Sequence, residues 1–222
     1  MPPRSWVRAF AIAAALVAWS ALVAQLFLSL RLGLANGNGL ARSLIIYFGY
    51  FTILTNLLVA CALTAGVIAS IASPPRRLVA FLTRPGVDTA IAVYIVVVGV
   101  TYSLLLRHIW APQGLQWIVD VALHDLMPVA FLVYWWCAVP TNRVGWSDIP
   151  LWLAYPAGYF VYSMASGAVL GRYPYPFLDV AEFGVGRVLL NAVGMLAGFI
   201  GVAAILVALG RAKGRAAARA SR

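Results

Sequence analysis

An all-α, polytopic bundle of six transmembrane helices is the fold class this sequence predicts, and three observations predict it. Of 222 residues, 64% are hydrophobic and only 10% charged, with a mean hydropathy of +0.92, far outside the range of a soluble domain. Six apolar runs are long enough to cross a hydrocarbon core of about 30 Å, which takes roughly 20 helical residues. Loops rich in Pro and Gly separate these runs, whereas a β-barrel would show strands of roughly ten alternating residues. The chain reads as one membrane domain over 1–210 followed by a basic tail over 211–222.

The first run, Ala9–Leu30, follows a basic start but exceeds the apolar region of a signal peptide, so it reads as the first membrane helix. An outer loop with two Asn-Gly pairs, Asn36-Gly37 and Asn38-Gly39, reads as turns. The second run, Ser43–Ser70, is long enough that it must tilt or begin above the bilayer, and Ser73-Pro74-Pro75-Arg76-Arg77 punctuates its inner end. The third, Val87–Leu106, carries Tyr94, Thr101, Tyr102 and Ser103 as polar interruptions and reads mostly as scaffold. Trp117–Val139 follows, with Asp120, His124 and Asp125 inside it and Pro128 placed to bend it. The fifth run, Leu151–Leu170, holds Ser163, Ala165, Ser166 and Gly167, small residues suited to close helix packing. Beyond it, two prolines bar a regular helix from Gly171 to Asp179, which predicts an extended aromatic segment at the outer interface. The sixth run, Val188–Leu209, has Asn191 near its outer end and a packing stripe of Gly194, Gly198 and Gly201.

A net charge of +10 would suggest nucleic acid in a soluble protein, but in this one it describes topology. With the N-terminus inside, the inner segments hold Arg4, Arg8, Arg76, Arg77, Arg84, Arg143, Arg211, Lys213, Arg215, Arg219 and Arg222. The outer ones hold fewer: Arg31, Arg42, Arg107, Arg172 and Arg187. The positive-inside rule then puts both termini in the cytoplasm, in a multi-pass protein of the cell membrane. The tail is expected to touch anionic lipid headgroups, and no nucleic-acid partner is expected. Cys61 and Cys137 lack CxxC spacing and a nearby ligand set, so neither a metal site nor a disulfide is expected, and no cofactor is implied.

Chemistry concentrates in two runs. Thr52, Thr55 and Asn56 share one helical face in the second. Asp120 and His124 share one in the fourth, where Asp125 points about 100° away. Ionisable groups at membrane depth are by default a functional-site hypothesis. Counted from the outer ends at 1.5 Å per residue, Thr52 lies about 13 Å deep and His124 about 10 Å, one level in the membrane. There an imidazole could take the hydroxyl proton while the threonine oxygen attacks an acyl carbonyl. Asp120 is the neighbour best placed to orient His124 unless it is solvated at the membrane interface, Asn56 or Thr55 could donate to a developing oxyanion, and protonation or a partner such as Arg107 could neutralise Asp125. Water would arrive past Arg107, Tyr173 and Tyr175, with the aromatic segment as a lid. The same polar groups would also serve a non-catalytic protein that binds or transports a lipid or small molecule, and threonine in membrane helices often bonds only its own backbone.

Three motifs in order carry a resemblance. Phe51-Thr52 with Leu57-Leu58, Leu123-His124 with Met127-Pro128, and Gly158-Tyr159 with Tyr175-Pro176-Phe177-Leu178 resemble those of the androgen-induced and androgen-dependent integral membrane proteins. These are multi-span lipid hydrolases with a threonine nucleophile and a histidine. The resemblance spans most of the chain and implies an Arg-rich, bacterial-type member. By it, Thr52 is the nucleophile and His124 the base, with fatty acid esters of hydroxy fatty acids as the implied substrate class. Thr55 stands close enough to exchange places with Thr52 under a small alignment shift, and the step from His124 to the next proline is shorter than in animal members.

Overall fold

Helices carry the chain through every apolar run in the computed structural model, which describes residues 5–71 and 76–220. Arg4, Arg222 and the Ser73-Pro74-Pro75 punctuation lie outside the described residues. In chain order the helices are α1 (Ser5–Ala35), α2 (Leu40–Phe48), α3 (Phe51–Ile71), α4 (Arg77–Leu82), α5 (Pro85–Thr101), α6 (Leu115–Val121), α7 (Met127–Ala138), α8 (Ile149–Trp152), α9 (Ala154–Leu170) and α10 (Val180–Ala220). No strand occurs among the described residues.

Five helical stretches are long and apolar enough to cross a membrane: Ser5–Ala35, Phe51–Ile71, Pro85–Leu106, Leu115–Ala138 and Val180–Ala216. The expected sixth, α9, has 17 residues and rises about 25 Å, short of a hydrocarbon core of about 30 Å.

The second apolar run is two helices. The break falls at Gly49 and Tyr50, where the Gly49 N–H closes α2 on the Ile46 carbonyl at 3.1 Å and the Tyr50 carbonyl opens α3 by accepting from Ile53 at 3.1 Å and Leu54 at 3.2 Å. A carbonyl freed at such a break needs a donor when it lies at membrane depth. The Tyr159 hydroxyl supplies one to Gly49 at 2.8 Å. The fourth run is continuous but irregular, because a π turn over Ala122–Leu126 joins α6 to α7. A second π turn, Tyr102–Leu106, ends α5.

α1 is apolar through its middle, and its stripe of Ala11, Ala14, Ala18 and Ala21 is buried, which lets its backbone approach α3 closely. In the middle of the bundle Val59, Ala60, Leu63, Ala92, Ile95, Met127 and Phe131 are all fully buried. Asp179 opens α10 by accepting from the Ala181 N–H at 2.9 Å and the Glu182 N–H at 3.3 Å, an N-cap role suited to a short carboxylate. Gly184, at φ 72°, bends this helix. The basic tail is not a separate coil, since α10 runs helically through it as far as Ala220.

Candidate functional site

Four irregularities converge on one cavity: the α2–α3 break, the two π turns and the proline-rich loop before α10. The cavity measures about 440 Å³, and its walls include Thr52, Tyr50, Tyr102, Asp120, His124, Arg172 and Tyr175.

Thr52 is the second residue of α3, so its N–H is one of the donors that a helix N-terminus leaves without an intrahelical partner. That N–H donates to the Tyr175 Oη at 3.3 Å, and the Thr52 Oγ1 lies 3.4 Å from the same oxygen. The segment bearing Tyr175 is therefore no peripheral belt. It turns inward through a 3₁₀ turn, Pro176–Leu178, and the Asn191 amide holds that turn by donating to the Phe177 carbonyl at 2.9 Å. Tyr175 is 9% exposed, and burial pushes its phenol above the ordinary value, which keeps it neutral.

The π turn sets the opposite wall. The Met127 N–H reaches back five residues to the Ala122 carbonyl. The next bond of that pattern would join the Leu123 carbonyl to Pro128, which has no N–H. Asn56 fills the vacancy: its Nδ2 donates to the Leu123 carbonyl at 3.2 Å and to the Thr52 carbonyl at 2.9 Å. One buried amide thus clamps the backbone beside His124 to the backbone of Thr52. Gly99 of α5 makes room for the irregular turn, since a Cβ there would stand 3.1 Å from both the His124 carbonyl and the Pro128 ring.

His124 is held from three sides. Its Nδ1 lies 3.0 Å from the Asp120 carbonyl and 3.2 Å from the Asp120 Oδ1. With a proton on Nδ1, both contacts are hydrogen bonds, and Nε2 is left as the basic nitrogen. The Tyr102 ring stacks on the imidazole with centroids 3.9 Å apart, and its hydroxyl donates to the Asp120 Oδ2. Asp120 is 6% exposed, so it is a buried, doubly engaged carboxylate and not a solvated one. On the other side of the turn Asp125 forms an ion pair with Arg107, whose guanidinium also covers the Tyr102 ring at 5.0 Å. The Asp125 hydrogen bond raises the Arg107 pKa further.

Thr52, His124, Asp120 and Tyr175 thus stand around one cavity. No hydrogen bond joins Thr52 to His124 among the described residues, and the Thr52 hydroxyl faces Tyr175 instead. Thr55 is fully buried and lies outside the cavity lining, its Oγ1 3.2 Å from the Tyr155 Oη. Neither Thr55 nor Asn56 lines the cavity, contrary to the oxyanion role expected for one of them, and protein oxygens already engage the Thr55 Oγ1 and the Asn56 Nδ2. Tyr173 packs against Gly167 and is not among the residues lining this cavity. Sequence reasoning missed Tyr102, assigned to scaffold, and Arg172, whose Nη2 donates to the Tyr50 hydroxyl at 3.3 Å on the cavity wall. The only signal for Tyr102 was a polar ring in a Val-rich run.

A second hollow shares this wall. It measures about 480 Å³ and is lined almost wholly by apolar side chains, mostly of α5, α9 and α10 with Phe51 of α3, among them Val97, Phe160, Val193 and Phe199. Thr52, Tyr102, Leu106 and Tyr175 border both spaces. Its lip carries Leu189 and Val193, which are exposed on the outside of the bundle.

Comparison with protein-family models, with curated proteins and with solved structures finds no match for this chain.

Proposed function

We propose that this chain is an integral membrane ester hydrolase that works by acyl transfer through Thr52 and His124. The observation that carries the reading is the shared wall. A cavity containing a carboxylate-braced histidine meets an almost wholly apolar groove whose lip is exposed on the outside of the bundle, and the threonine stands at their border. An amphiphilic ester fits this junction, with an acyl chain in the groove, its carbonyl at Thr52 and its polar end in the cavity.

In the proposed reaction the Thr52 hydroxyl turns from Tyr175 toward the His124 Nε2, which takes its proton as Oγ1 bonds to the carbonyl carbon. Asp120 keeps the imidazole in its tautomer and stabilises the cation formed. As the Tyr175 hydroxyl swings off the Thr52 N–H, both groups donate to the oxyanion at the positive end of α3. Collapse breaks the bond to the alcohol oxygen, which leaves with the proton from His124. Water then repeats the sequence on the acyl-threonine, releasing the acid and restoring the hydroxyl.

On this reading the protein crosses the membrane six times, with α9 as the short fifth span, and holds both termini in the cytoplasm, its basic tail against anionic headgroups. It would be related to the androgen-induced and androgen-dependent membrane proteins, and fatty acid esters of hydroxy fatty acids are the first substrates to try. The engagement of Thr52 with Tyr175, in place of His124, favours a second reading, a lipid or small-molecule binding protein. Transport is disfavoured, because fully buried Val59, Leu63, Met127 and Phe131 close the middle of the bundle.

Labelling with a fluorophosphonate probe tests the proposal. Detergent-solubilised wild type and Thr55→Ala should label, and Thr52→Ala and His124→Ala should not. No labelling of folded wild type would leave the binding reading, and loss in Thr55→Ala alone would move the nucleophile.

A further inference from the structure

A second cavity lies at the other end of the bundle, among the C-terminal turns of α3 and α7, the start of α5 and the first turns of α1. It measures about 590 Å³, and its lining includes Asp88, Arg8, Lys213, Trp6, Trp136 and Tyr134. Small-molecule sites fall at roughly 300–1,000 Å³. The ester chemistry uses none of these residues.

Asp88 belongs to the first turn of α5, where the helix dipole favours a carboxylate. It is 3% exposed, and its Oδ1 has no hydrogen-bond partner among the described residues. A buried carboxylate oxygen without a donor is costly to maintain unless something supplies one. The nearby cations do not supply it. Lys213 donates to the Trp136 carbonyl and, at 3.4 Å, to the Val139 carbonyl at the end of α7, with its ammonium 5.2 Å from the Trp136 ring centre. Arg8 is exposed on α1. The cavity therefore has an acceptor in its wall, two cations, and two half-exposed indoles, Trp6 and Trp136.

That pattern selects its occupant. A metal cation would be repelled by Arg8 and Lys213, and a simple anion by Asp88. A zwitterion that leads with an ammonium and trails a phosphate complements both signs. Asp88 is the acidic acceptor in the cavity wall, and a hydrogen bond to it takes an N–H, which a primary ammonium has and a trimethylammonium lacks. Exposed tryptophans at helix ends mark headgroup level in a membrane protein. We propose that this cavity binds the phosphoethanolamine headgroup of a membrane phospholipid, with its ammonium on Asp88 and its phosphate between Arg8 and Lys213.

Native mass spectrometry of the full chain in detergent tests this with dioleoyl phosphatidylethanolamine, its N-methylated series up to phosphatidylcholine, and phosphatidylglycerol. Retention by wild type should fall with each methyl group, by about tenfold across the series, the size expected for lost charge-assisted hydrogen bonds. Asp88→Asn should abolish the preference, and Arg8→Gln with Lys213→Gln should lower retention of every lipid. Glycerophosphoethanolamine, which has no acyl chains, should not displace the lipid. Equal retention across the methylation series in wild type would overturn the proposal without any variant having to fold. Preference for phosphatidylglycerol, survival of the preference in Asp88→Asn, or displacement by the soluble compound would each overturn it as well. Fluorophosphonate labelling of Asp88→Asn should match wild type, which keeps this result separate from the fate of the ester reading.

Discussion

The middle of the bundle and the end that carries Thr52 are built from the same kinds of apolar helix, yet they solve different problems. In the middle, Ala18, Ala60, Leu63 and Ala92 are fully buried on regular helices whose backbone groups bond within their own segment, as lipid demands. At the Thr52 end the helices break or loosen, and side chains from other helices complete the backbone. Tyr159 serves the Gly49 carbonyl, and Asn56 serves the Leu123 carbonyl that Pro128 leaves without a donor. Irregular backbone in a membrane protein is tolerated only where protein or a cavity satisfies it, and π turns gather at functional sites. On the proposed reading the irregular end is the working end and the regular middle its seal.

The comparison can be broken most directly by substitutions that separate activity from stability. Thr52→Ala and His124→Ala should each lower ester turnover by about 10³-fold, within the range for loss of a nucleophile or general base, with little change in thermal unfolding. Turnover of a p-nitrophenyl acyl ester checks this, and retained activity in both variants would remove the working end from catalysis. Leu63→Ala in the seal should do the opposite, costing about 2–5 kcal/mol of stability while turnover per folded molecule stays at the wild-type level.

Smaller effects sharpen the link between the two regions. Asn56→Ala leaves the buried Leu123 carbonyl without its donor, at a cost of about 1–3 kcal/mol. It should also lower turnover, because the clamp between Thr52 and the His124 turn is lost. Denaturation and turnover measured together would detect a merely structural Asn56, which would change the first and spare the second. Tyr159→Phe removes one hydrogen bond to Gly49, and about 1 kcal/mol is expected from unfolding measurements.

Much of this was legible in the chain. Hydropathy alone gives the helices, because an apolar segment in lipid has to close its own hydrogen bonds. Thr52 and His124 stand out in the sequence as polar groups at a shared depth with Asp120 beside the histidine, and of the two ways to neutralise Asp125, protonation or a partner such as Arg107, the structure has the ion pair with Arg107. The break at Gly49 was not seen, since a run of apolar residues carries no mark of where a distant tyrosine will accept responsibility for a carbonyl. Asp88 escaped notice because a carboxylate in the first turn after a loop reads as solvated, and only the packing of α1, α3 and α7 around it buries it.

The sequence by itself determined an all-helical fold with helices long and apolar enough to cross a membrane, and polar groups concentrated in the second and fourth apolar runs, because those properties follow from local hydrophobicity and from the positions of the few polar residues. Tertiary structure decided which threonine lines a cavity, which groups brace the histidine, that Tyr175 folds inward, and that a second cavity forms around Asp88. Each of these depends on partners from helices far apart in the chain, and a side chain's environment is set by its neighbours in space.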